Sequence, residues 1–473
     1  MSASTVIVRP ARGVQGLVRV PGDKSISHRY AMLAAIARGT SRFHNFSVAH
    51  DCASTLGCVG ELGAQWRRAD DGAIEVTGPQ GLKPQSNAAQ IGMAGALHPS
   101  KLKPGLPGTP AVPFPNSRGA LRAPSSPLDC GNSGSTMRML SGILAGQPFT
   151  SELFGDDSLS RRPMARIIKP LSEMGAKIIS SEGGRPPLKI HGGPLHAIHY
   201  KPEVASAQVK SCVLFAGLFA EGETVVEEPI RTRDHGELAL QAFGAEVEHK
   251  KAERGGNVAS IRGGQPLSAI EARVPGDLSS AAFFLCAAAL FPGSHISLPG
   301  ILMNPTRARL LDLLMQMGLK ISVTQIEQHH GELVGAIEAI GAEWRGGTIA
   351  GADTAALIDE IPVLAAVAPY TENGLEVRDA KELRVKESDR IAAVATNLRK
   401  MGADVDERPD GLRIPGRQRL HGAELDSFGD HRIAMAFAVA ALRAEGETTM
   451  HSADAAGVSY PTFFDDLRTI ACD

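Results

Sequence analysis

The sequence has little that would commit it to a membrane, a metal or a nucleic acid. Aromatic residues occupy 4% of its 473 positions, and the longest apolar run, Ala281–Phe291, is stopped after eleven residues by Pro292. A membrane-spanning helix needs about 20. The opening Met1-Ser2-Ala3-Ser4-Thr5 has neither the basic nor the apolar region of a secretory leader. The six cysteines (Cys52, Cys58, Cys130, Cys212, Cys286, Cys472) include no Cys-x-x-Cys pair, and no histidines cluster at ligand spacing. Neither a disulfide scaffold nor a metal site is expected, and reduced thiols in a cytoplasmic protein are the simple reading. A net charge of −2 excludes a globally basic nucleic-acid binder. It does not exclude cations gathered in one cleft.

Glycine and proline are abundant. With 51 and 30 copies they make about one residue in six, against roughly one in eight in an average chain. Charged residues at 21% and hydrophobic ones at 43% fit a folded globular protein, and the length fits about two or three domains.

Much of the glycine marks a repeat. Helical stretches end in Leu62-Gly63-Ala64, Met174-Gly175-Ala176, Phe243-Gly244-Ala245, Met317-Gly318-Leu319 and Met401-Gly402-Ala403, each running into a strand-like segment. Glycine is the natural left-handed residue just past a helix end. The later copies are 69, 74 and 84 residues apart, a recurring α/β unit of about 70 residues. Ile340-Gly341-Ala342 falls 23 residues after the fourth copy and is set aside as coincidence. A second repeat, Val20-Pro21-Gly22-Asp23 and Val274-Pro275-Gly276-Asp277, predicts two equivalent halves entered through the same turn. Residues 84–127 break the rhythm. These 44 positions hold nine prolines and five glycines without helical or strand periodicity, and read as an insertion in a surface loop.

Five polar segments set Lys, Arg, Ser or Asp beside predicted turns. Gly22-Asp23-Lys24-Ser25-Ile26-Ser27-His28-Arg29 leads into a helix expected over Tyr30–Arg38, with Ser25 or Ser27 as a possible cap. Asp129 through Arg138 forms a second loop-to-helix entry, matching neither a Walker loop nor a dinucleotide fingerprint. Ser160-Arg161-Arg162-Pro163 is the third. Arg384 through Arg390 opens a helix over Ile391–Lys400, and Gly429-Asp430-His431-Arg432 opens one over Ile433–Leu442. A cap or a surface ion pair accounts for any one of these alone. Together, several helix N-termini carrying Arg or Lys describe a site for more than one anionic group. No aromatics interleave with the cations, so a small polyanion fits better than a nucleic acid.

Val-Pro-Gly-Asp-Lys-Ser-Ile-Ser-His-Arg (20–29), Gly-Asn-Ser-Gly-Ser-Thr-Met-Arg (131–138), Arg-Val-Lys-Glu-Ser-Asp-Arg (384–390) and Gly-Asp-His-Arg-Ile-Ala-Met (429–435) resemble the 5-enolpyruvylshikimate-3-phosphate synthase family of enolpyruvyl transferases. Segments 206–211, 232–235 and 358–362 match further family segments in the right order. The resemblance implies an α/β protein, a two-domain inside-out α/β barrel with three βαβαββ repeats per domain and the active site in the interdomain cleft. With the crossings at the two Val-Pro-Gly-Asp turns, the domains are 1–21 plus 275–473 and 22–274, the latter carrying the 84–127 insertion. The implied reaction moves the enolpyruvyl group of phosphoenolpyruvate to the 5-hydroxyl of shikimate 3-phosphate and releases phosphate, a step towards chorismate and aromatic amino acids. It implies no cofactor, no metal and no macromolecular partner, and a cytoplasmic monomer.

By the family pattern Lys24, Ser25, Arg29, Ser206, Ala207, Gln208, Arg233, Asp359 and Lys386 hold shikimate 3-phosphate. Lys24, Gly134, Arg162, Gln208, Arg390 and Arg432 hold phosphoenolpyruvate. Asp359 accepts the hydroxyl proton, and Glu387, with Lys24 sharing, protonates the methylene carbon. The chain departs from common versions at Ser133, Ser135, Ala207 and Gly236, and Ser459-Tyr460-Pro461 lacks a lysine that many members carry. The related UDP-N-acetylglucosamine enolpyruvyl transferases would need a mobile-loop cysteine and a different first motif. A non-catalytic scaffold would not need Lys24, Asp359, Glu387 and Arg432 together.

Overall fold

The computed structural model describes residues 4–79, 121–251 and 256–472. It is a mixed α/β protein in which one supersecondary pattern recurs. Five sheets are built alike: a first strand parallel to the second, a fourth antiparallel to the second, and a third on the outside of the fourth. Leu128–Asp129, Thr150–Phe154, Lys177–Ser181 and Arg185–His191 show it in unbroken order. His199–Tyr200 with Glu223–Glu228, Val247–Lys251 and Asn257–Arg262 repeats it, as does Gly347–Ile349 with Leu375–Val377, Asp406–Arg408 and Gly411–Ile414.

The other two copies borrow their first strand from a distant part of the chain. Glu271–Arg273 completes the sheet of Thr40–His44, Gln65–Arg68 and Ile74–Thr77. Gly13–Leu17 completes that of His295–Leu302, Lys320–His329 and Glu332–Ile340. A sixth, shorter sheet sets Glu424–Asp426 parallel to Thr448–His451, with Thr5–Val8 antiparallel on its far side.

Each unit carries two helices of different character. The helix after the first strand is apolar nearly all round and therefore buried. Leu278–Ala289 and Ile361–Val367 are buried at every residue, and Lys24–Ile36 is buried from Ile26 onward. The helix after the second strand is amphipathic and buries one stripe, such as Leu310, Leu311, Leu313 and Leu314 of Arg309–Gln316. These stripe helices end on the five repeated glycines, all left-handed: Gly63, Gly175, Gly244, Gly318 and Gly402, with φ between 86° and 114°. Gly341 has no such φ and ends a strand instead, so the odd copy is indeed unrelated.

Two apolar cores result. One gathers residues from 26 to 274 together with Leu302. The other gathers residues from 8 to 20 and from 278 to 470. Core membership changes at the two Val-Pro-Gly-Asp turns, which lie side by side. The Asp23 N–H donates to Pro275 O at 2.7 Å, and the Asp277 N–H donates to Pro21 O at 2.9 Å. Gly22 has to be glycine here, because a Cβ would fall 1.8 Å from the Asn45 carbonyl oxygen.

Of the expected 84–127 insertion, residues 84–120 lie outside the described residues. Positions 121–127 return the chain to the fold. The Leu121 N–H donates to Gln147 Oε1 at 3.0 Å and the Arg122 N–H to Leu62 O at 2.8 Å. Among the described residues no helix is long and apolar enough to cross a membrane.

Candidate active site

The buried helices present their first turns to one region, and capping explains why they begin where they do. Asp23 accepts from the Ile26 N–H at 2.9 Å, so the first helix starts at Lys24, earlier than the expected Tyr30. Neither Ser25 nor Ser27 is its cap. Lys24, Ser25 and Arg29 consequently ride on helix rather than loop. Ser133 caps Gly134–Ala145, Ser206 caps Ala207–Gly217 and Asp430 caps His431–Ala441. Asp389 caps Arg390–Lys400, accepting from the Ala392 N–H at 3.0 Å.

Arg390 is central to the cluster. Its side chain is 2% exposed and is held by Asp430, with Nε 2.8 Å from Oδ2. Nη2 reaches Glu387 Oε2 at 2.7 Å, while Nη1 lies 3.7 Å from Asp359 Oδ1. Nη1 is buried and has no hydrogen-bond partner. One guanidinium thus stands between the two carboxylates expected to move protons, with a donor to spare.

Both carboxylates are ringed by cations. Burial opposes the charge of Asp359, but Arg432, Lys386, Arg233 and Arg390 outweigh it and hold the carboxyl well below its ordinary range. Arg233 Nη2 lies 3.1 Å from Asp359 Oδ2, and Arg432 Nη1 donates to the Asp359 carbonyl oxygen. Glu387 is likewise held well below its usual value, with burial outweighed by Arg390, Arg162 and Lys24 among its neighbours. Arg162 Nη2 is 3.4 Å from Glu387 Oε1 and donates to Asn132 Oδ1 at 2.7 Å. The Arg161-Arg162 pair therefore divides: Arg161 is exposed and Arg162 faces the cluster.

Lys24 Nζ pairs with Asp51 Oδ2 at 2.8 Å. Burial works against the ammonium, but Asp51 and Glu387 raise its pKa above the usual lysine value. Gln208 is fixed from both ends, accepting from Arg138 Nη1 at 2.8 Å and donating to Ser135 Oγ at 2.9 Å. Gly134 leaves room for two arginines, since a Cβ there would lie 3.0 Å from Arg138 Nη1 and 3.4 Å from Arg162 Nη1. Arg29 donates to Ser25 O at 2.8 Å and to Ser211 Oγ at 2.9 Å through Nη2. Lys386 Nζ is 3.8 Å from Glu382 and contributes to the field on Asp359. Ala207 occupies the first turn of the helix that Ser206 caps.

Two members of the cluster were not singled out from the sequence. Arg138 stands one helical turn beyond Gly134, so the i, i+4 spacing was a usable signal. Burial first, then Arg162 and Arg166, lower its pKa to about 10. Asp51 sits 27 residues from the lysine it pairs with, and no local pattern announces it.

A family model described as EPSP synthase (3-phosphoshikimate 1-carboxyvinyltransferase) matches residues 8–97 and 112–467. Among curated proteins the chain is similar to the 3-phosphoshikimate 1-carboxyvinyltransferase of Koribacter versatilis (strain Ellin345), 57% identical over 466 residues, covering 98% of this chain and 99% of that one. The protein of the same name from Solibacter usitatus (strain Ellin6076) is 52% identical over 464 residues, with 98% and 99% covered. Among solved structures, an EPSP synthase from Acinetobacter baumannii superposes with a TM-score of 0.80 at 37% identity, covering 99% of this chain and 98% of that one.

Proposed function

The chain belongs to the EPSP synthase family and transfers the enolpyruvyl group of phosphoenolpyruvate to shikimate 3-phosphate, and from that premise we propose which residues carry the reaction. Arg29, Arg233, Ser25, Ser206, Ala207, Gln208 and Lys386 hold shikimate 3-phosphate. Lys24, Arg162, Arg390, Arg432 and the space at Gly134 hold phosphoenolpyruvate, with Gln208 reaching both. Arg138 joins this set by keeping Gln208 in place. The observation that carries the assignment is the unpartnered, buried Nη1 of Arg390 between Asp359 and Glu387. A buried donor without a partner is costly, and an anionic oxygen of the substrate would satisfy it.

Asp359, kept ionised by its cations, takes the proton of the 5-hydroxyl as the oxygen attacks the central carbon of phosphoenolpyruvate. The methylene carbon gains a proton from Glu387, with Lys24 sharing in the transfer, and a tetrahedral adduct forms. The phosphate group then leaves, taking up the proton held by Asp359, and one methyl proton returns to Glu387, which restores the double bond on the new ether. Glu387 is held ionised by its cations, so it must acquire that proton. Phosphoenolpyruvate supplies the reason: its negative charges engage Arg162, Arg390 and Lys24, the cations that hold Glu387 ionised, and its pKa rises. Positioning and electrostatic stabilisation supply most of the remaining catalysis.

The two apolar cores support domains of 1–21 plus 275–473 and of 22–274, and the recurring strand order supports three βαβαββ units in each, closed as an inside-out barrel around the buried helices. The family match passes over residues 98–111, which supports an insertion there that the chemistry does not require. The reading also takes the protein as a cytoplasmic monomer with small-molecule partners alone. The deciding assay is phosphate release from phosphoenolpyruvate with shikimate 3-phosphate against the same assay with UDP-N-acetylglucosamine. Release with the first and not the second is expected, and the reverse would overturn the reading.

A further inference from the structure

Beneath the loop that carries Arg233 lies a group of charges that the reaction itself does not use. Lys210 Nζ is 2.8 Å from Glu228 Oε2 and 2.8 Å from Glu237 Oε1, and all three side chains are fully buried. Burial opposes the ammonium, but Glu237 and Glu228 outweigh it and raise the lysine pKa, so the group is an ion triad. Three charges withdrawn from water are a poor device for stability alone. Their other contacts say more.

Glu228 closes the strand Glu223–Glu228 and turns its carboxylate to Thr232. Oε1 accepts the Thr232 hydroxyl, and Oε2 accepts its backbone N–H at 3.4 Å. The residue that follows is Arg233. Lys210 precedes Ser211, whose hydroxyl receives Arg29 Nε at 3.2 Å and Nη2 at 2.9 Å. Glu237 has no hydrogen-bond partner at either buried oxygen, Oε1 meeting Lys210 as an ion pair alone. Its charge is the main influence sustaining the Arg29 guanidinium, whose pKa burial lowers to about 10. Lys210 and Glu228 therefore each lead, through one neighbour, to one of the two arginines, and Glu237 acts on Arg29 by its charge.

We propose that Lys210, Glu228 and Glu237 are positioning residues that fix Arg29 and Arg233 as a pair at the spacing needed for shikimate 3-phosphate. This rests on the assignment of those arginines given above. Lys210 lies on helix Ala207–Gly217, Glu228 ends strand Glu223–Glu228 and Glu237 lies on helix His235–Ala242, so the triad locks together the elements that adjoin Arg29 and Arg233. The consequence is selective: weakening the lock loosens the grip on shikimate 3-phosphate and leaves phosphoenolpyruvate binding alone.

The test separates the two substrates. Thr232→Val removes the hydroxyl bond to Glu228 while leaving the triad whole, and Thr232→Ser keeps the hydroxyl. Thr232→Val should raise KM for shikimate 3-phosphate by about tenfold, the effect of losing one hydrogen bond to a charged group. KM for phosphoenolpyruvate should stay within about twofold, the ordinary spread for surface changes. Thr232→Ser should restore the wild-type values. Glu228→Gln should shift the same constant in the same direction. An unchanged KM for shikimate 3-phosphate in Thr232→Val, or equal rises for both substrates, overturns the proposal. Arg233→Ala is the control. If it weakens shikimate 3-phosphate and Thr232→Val does not, the positioning role fails and the assignment stands. If Arg233→Ala leaves that substrate unaffected, the assignment fails and the positioning role falls with it.

Discussion

Arg233 and Asp359 meet at 3.1 Å, the arginine extending from the part of the chain that builds one apolar core and the aspartate from the part that builds the other. The contact ties a group assigned to substrate binding to the group assigned to remove the substrate's proton. Under the proposed assignment, shikimate 3-phosphate at Arg233 would release Asp359 from that guanidinium to face the hydroxyl. Asp359→Asn and Glu387→Gln should therefore each lower turnover by on the order of 10²-fold or more, the scale of general acid–base loss. Both variants should still fold, with a native far-UV circular dichroism spectrum, although each gives up a charge that its neighbouring cations stabilise. Steady-state phosphate release with near-normal turnover in both variants would sink the assignment.

Glu387 makes a prediction of its own. If phosphoenolpyruvate draws away its cations, binding takes up a proton at neutral pH. Isothermal titration calorimetry in two buffers of different ionisation enthalpy should register uptake of part of a proton, and Glu387→Gln should abolish it. A buffer-independent enthalpy in the parent protein would count against the mechanism.

Gly134→Ala places a methyl group 3.0 Å from Arg138 Nη1 and 3.4 Å from Arg162 Nη1. The Arg138 guanidinium must yield by a few tenths of an ångström, while Arg162 stays at ordinary contact distance. KM for phosphoenolpyruvate should rise by about tenfold, since small displacements of positioning groups cost heavily. KM for shikimate 3-phosphate should hold. Substrate titrations that moved the second constant instead would relocate the site.

Acid stability is set by groups close to this cluster. His28 and His431 are buried and neutral, their pKa values lowered to about 3 and about 4 by burial first and then by Lys24 and other neighbouring charges. Below the ordinary histidine value of about 6.5 the unfolded chain takes protons that these rings refuse, so stability falls with pH, by about 1.4 kcal/mol per unit for each ring. Asp277 works the other way. Burial, then Asp23, raises its carboxyl to about 6, so between about 4 and 6 the folded state holds a proton that the unfolded state releases. Asp277→Asn should steepen the loss of stability between pH 6 and pH 4. Urea midpoints across that window would show it, and parallel profiles would refute it.

What could be read beforehand was whatever the backbone stamps locally. The five left-handed glycines announced the units because a helix stop leaves a residue-level mark, and the twin Val-Pro-Gly-Asp turns announced two halves. That Asp23 and Asp277 bond to each other's turn was not visible, because a hydrogen bond between residues 21 and 277 leaves no trace in either segment. The cationic side chains of the cluster were legible from motifs. Their counter-charges were less so: Asp51, Glu228 and Glu237 look like ordinary surface acids until the fold buries them. The first helix was expected to begin at Tyr30, with Lys24 through Arg29 leading into it, and it begins at Lys24. Asp23 caps it, and the site itself satisfies the polar groups.

The borrowed strands have a consequence for the protein as it is being made. Residues 22–274 contain nearly everything their core needs, so that half can close while later residues are still emerging from the ribosome. The other half cannot begin so early. Thr5–Val8 pairs with Thr448–His451, and Gly13–Leu17 with His295–Leu302 and Ala471–Cys472. The strands translated first thus wait as open edges, exposed to mispairing, until the strands translated last arrive to cover them.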